Sequence, residues 1–229
     1  DTITDVNALS VSGTTTINTN TITTAGTQTY TGAVTLGNST TLTTTSNGNI
    51  SFGSSISNSS AKNLTLDTGL TSGTISVTGA IGSGTALGTL TITKSAGTTF
   101  SSTVNAATIA LTDSKVSTNI TFSDNVTLTT GLTVSAGTAA YNVVFNGASN
   151  TIAGATTFSN TGSVTLNNEV TDSTAFTGGV TITAPSQVNI AGTVQATNAT
   201  ISLGDSGTPI VLTANTIISG NTSGNITLG

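Results

Sequence analysis

The chain has 229 residues, of which 5% are charged and 34% hydrophobic, with a formal net charge of -5. Its only cations, Lys62, Lys94 and Lys115, cannot form the basic stripe that meets nucleic-acid phosphates or an anionic lipid surface. It has no Cys, which excludes disulfides and thiolate metal sites, and no apolar run near the roughly 20 residues of a membrane span.

Thr and Ser fill the space left by charged residues, with Gly and Asn behind them. Thr is β-branched and favours strands, whereas Gly and Asn favour tight turns with positive φ. Strong helix formers are scarce, so the composition is all-β. Disorder usually accompanies high net charge and few branched aliphatics, and this chain has neither property. The opening "DTITD" lacks an initiator Met and a signal-peptide pattern, and is read as mature or excised material.

Along the chain, apolar residues alternate with polar ones in short bursts. "QTYTGAVTLGNSTTLTTTSNGNISFGSS" (28–55) shows the style, uncharged throughout. Next come Ile75 and Val77, then Leu90 and Ile92, then Val126 and Leu128 followed by Leu132 and Val134. Val180 and Ile182, Val188 and Ile190, Val194, and Ile201 and Leu203 continue the pattern. Two inward residues per burst predict strands of about four residues with one face buried, separated by short turns. An immunoglobulin-type sandwich needs fewer, longer strands. A solenoid, whose coils each hold a few short strands and stack in parallel, fits better.

Phe100, Phe122 and Phe145 recur at nearly equal intervals and suggest the coil length. Extended outward, the ladder takes in Leu9, Tyr30, Phe52 and Ile75, then Leu166, Ile190 and Ile210. About ten coils of roughly 22 residues, each rising about 4.8 Å, would make a rod of around 50 Å. "GNISFG" (48–53), "TNITFS" (118–123) and "GNITLG" (224–229) share one pattern, and the last reads as a coil begun and cut off. With no linker or shift in composition, 1–229 is taken as a single solenoid segment, expected to belong to a longer array or filament.

The stretches "GTQTYTGAVTLGNSTTLTTTSNGNISFGSSI" and "NTIAGATTFSNTGSVTLNN" resemble the degenerate repeats of filamentous-haemagglutinin-like and related β-strand-repeat bacterial exoproteins and adhesins. That resemblance implies a right-handed parallel β-helix, export to the bacterial cell surface or extracellular matrix, and service as a stalk, fibre or adhesin. Expected partners are neighbouring solenoid segments or copies of the chain end to end, together with surface glycans. Nucleic acid and a membrane span are not expected.

The groups that perform chemistry are few. The acids are Asp1, Asp5, Asp67, Asp113, Asp124, Glu169, Asp172 and Asp205. A glycan-active enzyme would need a supported carboxylate pair. Glu169 and Asp172 in "NNEVTDS" are the closest pair in sequence, expected to sit on a solvated turn. Asp113 and Lys115 in "LTDSKVS" read as a polar turn. Without His or Cys there is no Ser–His or Cys–His pair and no zinc site. "GSGTALG" (82–88) lacks the Lys of a phosphate loop. No catalytic, cofactor-binding or metal-binding residue is therefore assigned, and no enzyme activity is expected.

Asn-x-Ser/Thr sequons begin at nine of the 22 Asn residues, about as chance predicts in so Ser- and Thr-rich a chain. Turn-forming Asn and amides stacked between coils explain them better. Thr-x-Thr pairs occur at 21–23, 41–43, 91–93, 127–129 and 181–183. A Thr-rich ice-binding solenoid would need such pairs once per coil in fixed register. Their uneven spacing along the sequence predicts ordinary outward strand residues instead. The expected function is a non-catalytic structural or adhesive rod, the alternatives being a glycan-binding or glycan-active β-helix and an ice binder.

Overall fold

The computed structural model describes residues 2–229, folded entirely into strands and turns with no helix. Every ladder between strands is parallel, and strands about 22 residues apart pair to form a β-solenoid of about ten turns. Each turn contributes one stretch to each of three faces. The first face begins with Thr2–Val6, Thr21–Thr24 and Thr40–Thr44 and finishes with Ile201–Leu203 and Ile226–Leu228. The second runs from Leu9–Val11 and Gln28–Tyr30 to the first half of Ile210–Ser219, and the third from Thr15–Ile17 and Val34–Leu36 to the second half of that strand.

Most strands have three to five residues, as the alternation predicts. Five are longer than expected: Leu87–Lys94, Val104–Leu111, Val126–Val134, Gln187–Ala196 and Ile210–Ser219. They turn a corner and serve two faces, with the register shifting between Ala106 and Thr108 and between Ile190 and Gly192. Gly192 makes one such corner possible. Its φ is +59°, and a Cβ there would collide with the carbonyl oxygen of Asp172.

Coil length is an average. Ile92 and Leu111 are first-face partners that bound a short coil, whereas Leu66 and Ile92 bound a long one. Corners absorb the difference, as where 82–86 bulge between Ile81 and Leu87, leaving Ile81 and Leu87 beside Val104 and Ala106. Inward side chains meet in one apolar cluster extending from Ile17 to Leu203. All six Phe and both Tyr are buried in it.

On the second face the inward ladder runs Val11, Tyr30, Phe52, Val77, Phe100, Phe122, Phe145, Leu166, Ile190 and Leu212. Seven members match the sequence expectation. Leu9, Ile75 and Ile210 belong to the parallel inward ladder two residues upstream, a slip that period-two alternation permits because both positions face the core. Rings stack along the axis at the strand spacing: Tyr30 on Phe52 at 4.9 Å, and Phe122 on Phe145 at 4.8 Å. Phe158 on the first face and Phe176 on the third complete an edge-to-face cluster with Phe145.

Asn residues hold the corners through left-handed turns and through bonds to the next coil's backbone, and Asn142 and Asn119 also join amide to amide between coils at 2.9 Å. Asn47, Asn167, Asn198 and Asn221 adopt left-handed φ. Asn49, Asn63 and Asn125 accept, through Oδ1, the backbone N–H of Thr74, Thr89 and Ser149 one coil on, at 2.8–2.9 Å. In the first and last described coils the inward residues Ile3 (39%), Leu212 (61%) and Leu228 (55%) are exposed.

Candidate functional surface

The acidic candidates are occupied by the scaffold. Asp172 is buried, contrary to the expected solvated turn. Its Oδ2 accepts the backbone N–H groups of Asn168 (3.2 Å) and Glu169 (3.0 Å), so the carboxylate caps its own turn while Glu169 points to solvent. Asp113 is buried too. Its Oδ2 accepts from the Thr138 backbone N–H at 3.0 Å and the Thr138 hydroxyl at 2.7 Å, while Oδ1 has no hydrogen-bond partner. Lys115 reaches away from it, donating from Nζ to the Thr71 carbonyl at 2.9 Å. Within neither pair do the two side chains hydrogen-bond to each other. Among the described residues no cluster of three metal-ligating side chains occurs.

Beside Asp113 lies Tyr141, fully buried, whose hydroxyl donates to the Ser135 carbonyl at 2.6 Å. Burial first, and the Asp113 charge second, push its pKa well above the ordinary tyrosine value. Tyr30 is raised in the same direction by burial alone, and its hydroxyl donates to Gln28 Oε1 at 3.2 Å.

Several hydroxyls point inward at the corner that follows the first face. Thr24, Thr44 and Thr68 donate to the carbonyls of Gly26 (2.6 Å), Gly48 (2.7 Å) and Gly73 (2.7 Å), closing the turn from within. Ser114 donates to the Ser95 carbonyl at 3.0 Å, and Thr208 to the Pro185 carbonyl at 2.6 Å. The carbonyls of Gly26, Gly48 and Pro185 gain a partner inside the corner in this way, while those of Gly73 and Ser95 also accept the backbone N–H of Ala96 (2.7 Å) and Lys115 (2.8 Å).

The outward side of the first face differs from the other two. Its central outward ladder reads Thr2, Thr21, Thr41, Thr65, Thr91, Ala110, Thr133, Thr157, Thr181, Ser202 and Thr227. Nine of these eleven positions are Thr. The matching ladder of the second face, Ser10 to Val211, has four Thr in ten positions, and that of the third face four in nine. A second rank follows two residues downstream: Thr23 pairs with Thr43 and Thr43 with Asp67, the register then shifts so that Asp67 pairs with Lys94, and Thr93 lies one coil before Thr112. Asp67 bends to the corner, where its Oδ1 accepts the Gly69 N–H at 3.0 Å.

The expectation of no register for the Thr-x-Thr pairs is therefore corrected. Four of the five, at 21–23, 41–43, 91–93 and 181–183, lie on this one face. Only 127–129 belongs elsewhere, with Thr127 paired to Asn105 and Thr151 on the third face. Coils of unequal length scramble the sequence spacing while the ladder keeps the spatial one. A variable-gap alignment on the triplet hydroxyl–apolar–hydroxyl, as in "TVS" (133–135) and "TFS" (157–159), carries the signal that fixed periods hide.

The hydroxyls of this ladder are also unused by the protein. On the other faces a few outward groups pair between coils, Thr35 with Ser57 at 3.3 Å, Ser51 with Thr29 at 3.4 Å and Asn189 with Thr165 at 3.3 Å, while Thr99, Thr121, Thr127 and Thr151 are, among the described residues, free as well. Among the described residues, no side-chain hydroxyl of Thr21, Thr41, Thr65, Thr91, Thr133, Thr157 or Thr181 has a hydrogen-bond partner within the chain. Comparison with family models, curated proteins and solved structures finds no match to the chain.

Proposed function

We propose that this chain is a segment of a non-catalytic structural and adhesive rod, of the filamentous-haemagglutinin-like kind, displayed on a bacterial surface or in an extracellular matrix. The observation that carries the reading is the unbroken apolar core from Ile17 to Leu203 beneath faces of hydroxyl and amide side chains. In such a rod each coil adds about 4.8 Å of reach and needs contacts only with its two neighbours. Exposed apolar side chains at the end rungs, Leu212 and Leu228 among them, are covered by a further solenoid segment or another copy stacked end to end. Surface glycans meet the polar sides. The carboxylate of Asp172, held by its own turn, serves the scaffold.

Protease shaving of intact source cells, combined with electron microscopy of the shed material, tests the proposal. Release of slender rods supports it. Retention of the protein inside the cells overturns it, as does turnover of a polysaccharide panel that is abolished by Glu169→Gln or Asp172→Asn.

A further inference from the structure

We infer that the threonine ladder of the first face is an ice-binding surface. The inference rests on the reading of an adhesive rod and deepens it by naming what one face adheres to. Three features, which neither of the other faces combines, point to this ligand.

The first is geometry. Neighbouring coils place ladder hydroxyls about 4.8 Å apart, and the second rank lies about 6.6 Å further along each strand. The first rank extends over eleven successive strands from Thr2 to Thr227, broken at Ala110, and the second runs beside it with breaks at Asp67 and where the register shifts in the first and fourth strands. Ice presents an extended periodic array of oxygens, and only a ligand with long-range order rewards order of this length in the protein. A soluble sugar or a peptide would touch a few rungs.

The second is chemistry. Each Thr offers a hydroxyl to join the lattice and a methyl to exclude loose water. The ladder hydroxyls are not engaged by the protein, as is also true of Thr99, Thr121, Thr127 and Thr151 on the other faces, so what sets the first face apart is the length of its run of free hydroxyls. Charged groups would keep hydration shells of their own; Asp67 of the second rank is turned to Gly69, and its ladder partner one coil on, exposed Lys94, is the charged group left at that edge.

The third is rigidity. Directly beneath the ladder lie Ile22, Leu42, Leu66, Ile92, Leu111 and Ile182, all buried. The outward groups are thus fixed before binding and lose little freedom on contact. Crystalline polysaccharide is the competing planar ligand. Its recognition rests on aromatic platforms, and every Phe and Tyr here is buried.

The test uses the full chain, labelled at its amino terminus, with a single ice crystal growing in its solution. Uptake into the ice and a gap between melting and freezing points are expected. The double variant Thr91→Tyr/Thr133→Tyr should abolish both, while Thr99→Tyr/Thr121→Tyr on the second face keeps both, with circular dichroism verifying each fold. If the first double variant does not fold, Thr91→Val/Thr133→Val keeps the branched shape, removes two hydroxyls and should weaken uptake. Exclusion of the unmodified chain from ice overturns the inference. So does equal loss in the second-face variant, or retention on crystalline cellulose or chitin without ice uptake. Failure here leaves rod shape and cell-surface release, which are measured separately, untouched.

Discussion

Phe100 and Phe122 occupy the same position of successive coils and are directly stacked in space, their rings 4.9 Å between centroids and 13° from parallel. Phe145 continues the stack from Phe122 at 4.8 Å, so Phe122 has an aromatic neighbour on each side along the axis. A parallel solenoid brings this about because identical positions of successive coils fall on one line at the strand spacing.

Phe122→Ala should therefore open a cavity in the middle of the core and lower stability by about 3–5 kcal/mol, with Phe122→Leu costing less. Thr121, its outward neighbour, is the control: Thr121→Ser should stay within about 0.5 kcal/mol. Chemical denaturation of the three variants measures this.

Asn150 faces inward at a rung flanked by Val126 and Thr174. Its Oδ1 accepts the Val126 N–H at 3.0 Å, and its Nδ2 donates to the Gly147 carbonyl and the Thr174 hydroxyl, both at 3.1 Å. Asn150→Leu restores an apolar ladder yet strands those partners, so it should destabilise by about 1–3 kcal/mol for each group left unpaired. A gain in stability would show that the network is dispensable.

The two tyrosines set an alkaline limit. Both have pKa values raised by burial, so the folded state holds protons that the unfolded chain gives up above about pH 10. Stability from this source is complete below that pH and falls as pH rises beyond it, by about 1.4 kcal/mol per pH unit for each tyrosine. Denaturation midpoints measured between about pH 8 and pH 11 should show the fall, and Tyr30→Phe should reduce its slope.

Gly192→Ala should cost about 1–3 kcal/mol, because Ala must occupy a left-handed conformation with its Cβ against the Asp172 carbonyl. Gly13 has nothing within 4 Å of its notional Cβ, and Gly13→Ala should be close to neutral. Thermal midpoints of the two variants decide this.

Strands were legible in the sequence because inward pairs such as Ile75 and Val77 alternate with Ser and Thr, and the coil average was legible in Phe100, Phe122 and Phe145. Register was less so. Leu9, Ile75 and Ile210 face the core as their ladder neighbours do, and alternation cannot separate two inward positions of one strand. Inward polar residues were hidden for a related reason. Thr24 and Thr44 have the same side chain as outward Thr23 and Thr43, and only the corner carbonyls show that they turn inside. Burial of Asp113 and Asp172 depends on turn backbone from Thr138 and Asn168, which spacing does not reveal. The threonine register escaped because insertions are confined to corners, where they change sequence distance without moving the face.

The central claim, a rigid solenoid that carries first-face threonines in spatial register, is tested most directly by electron–electron distances between spin labels at Thr41 and Thr181. Six coil steps separate them along one ladder, and at about 4.8 Å per step the backbone separation should be about 29 Å with a narrow distribution. Moving the second label to Thr91, two steps from Thr41, should shorten the distance in proportion. A broad distribution, or a separation that does not scale with the number of coils, would contradict the account.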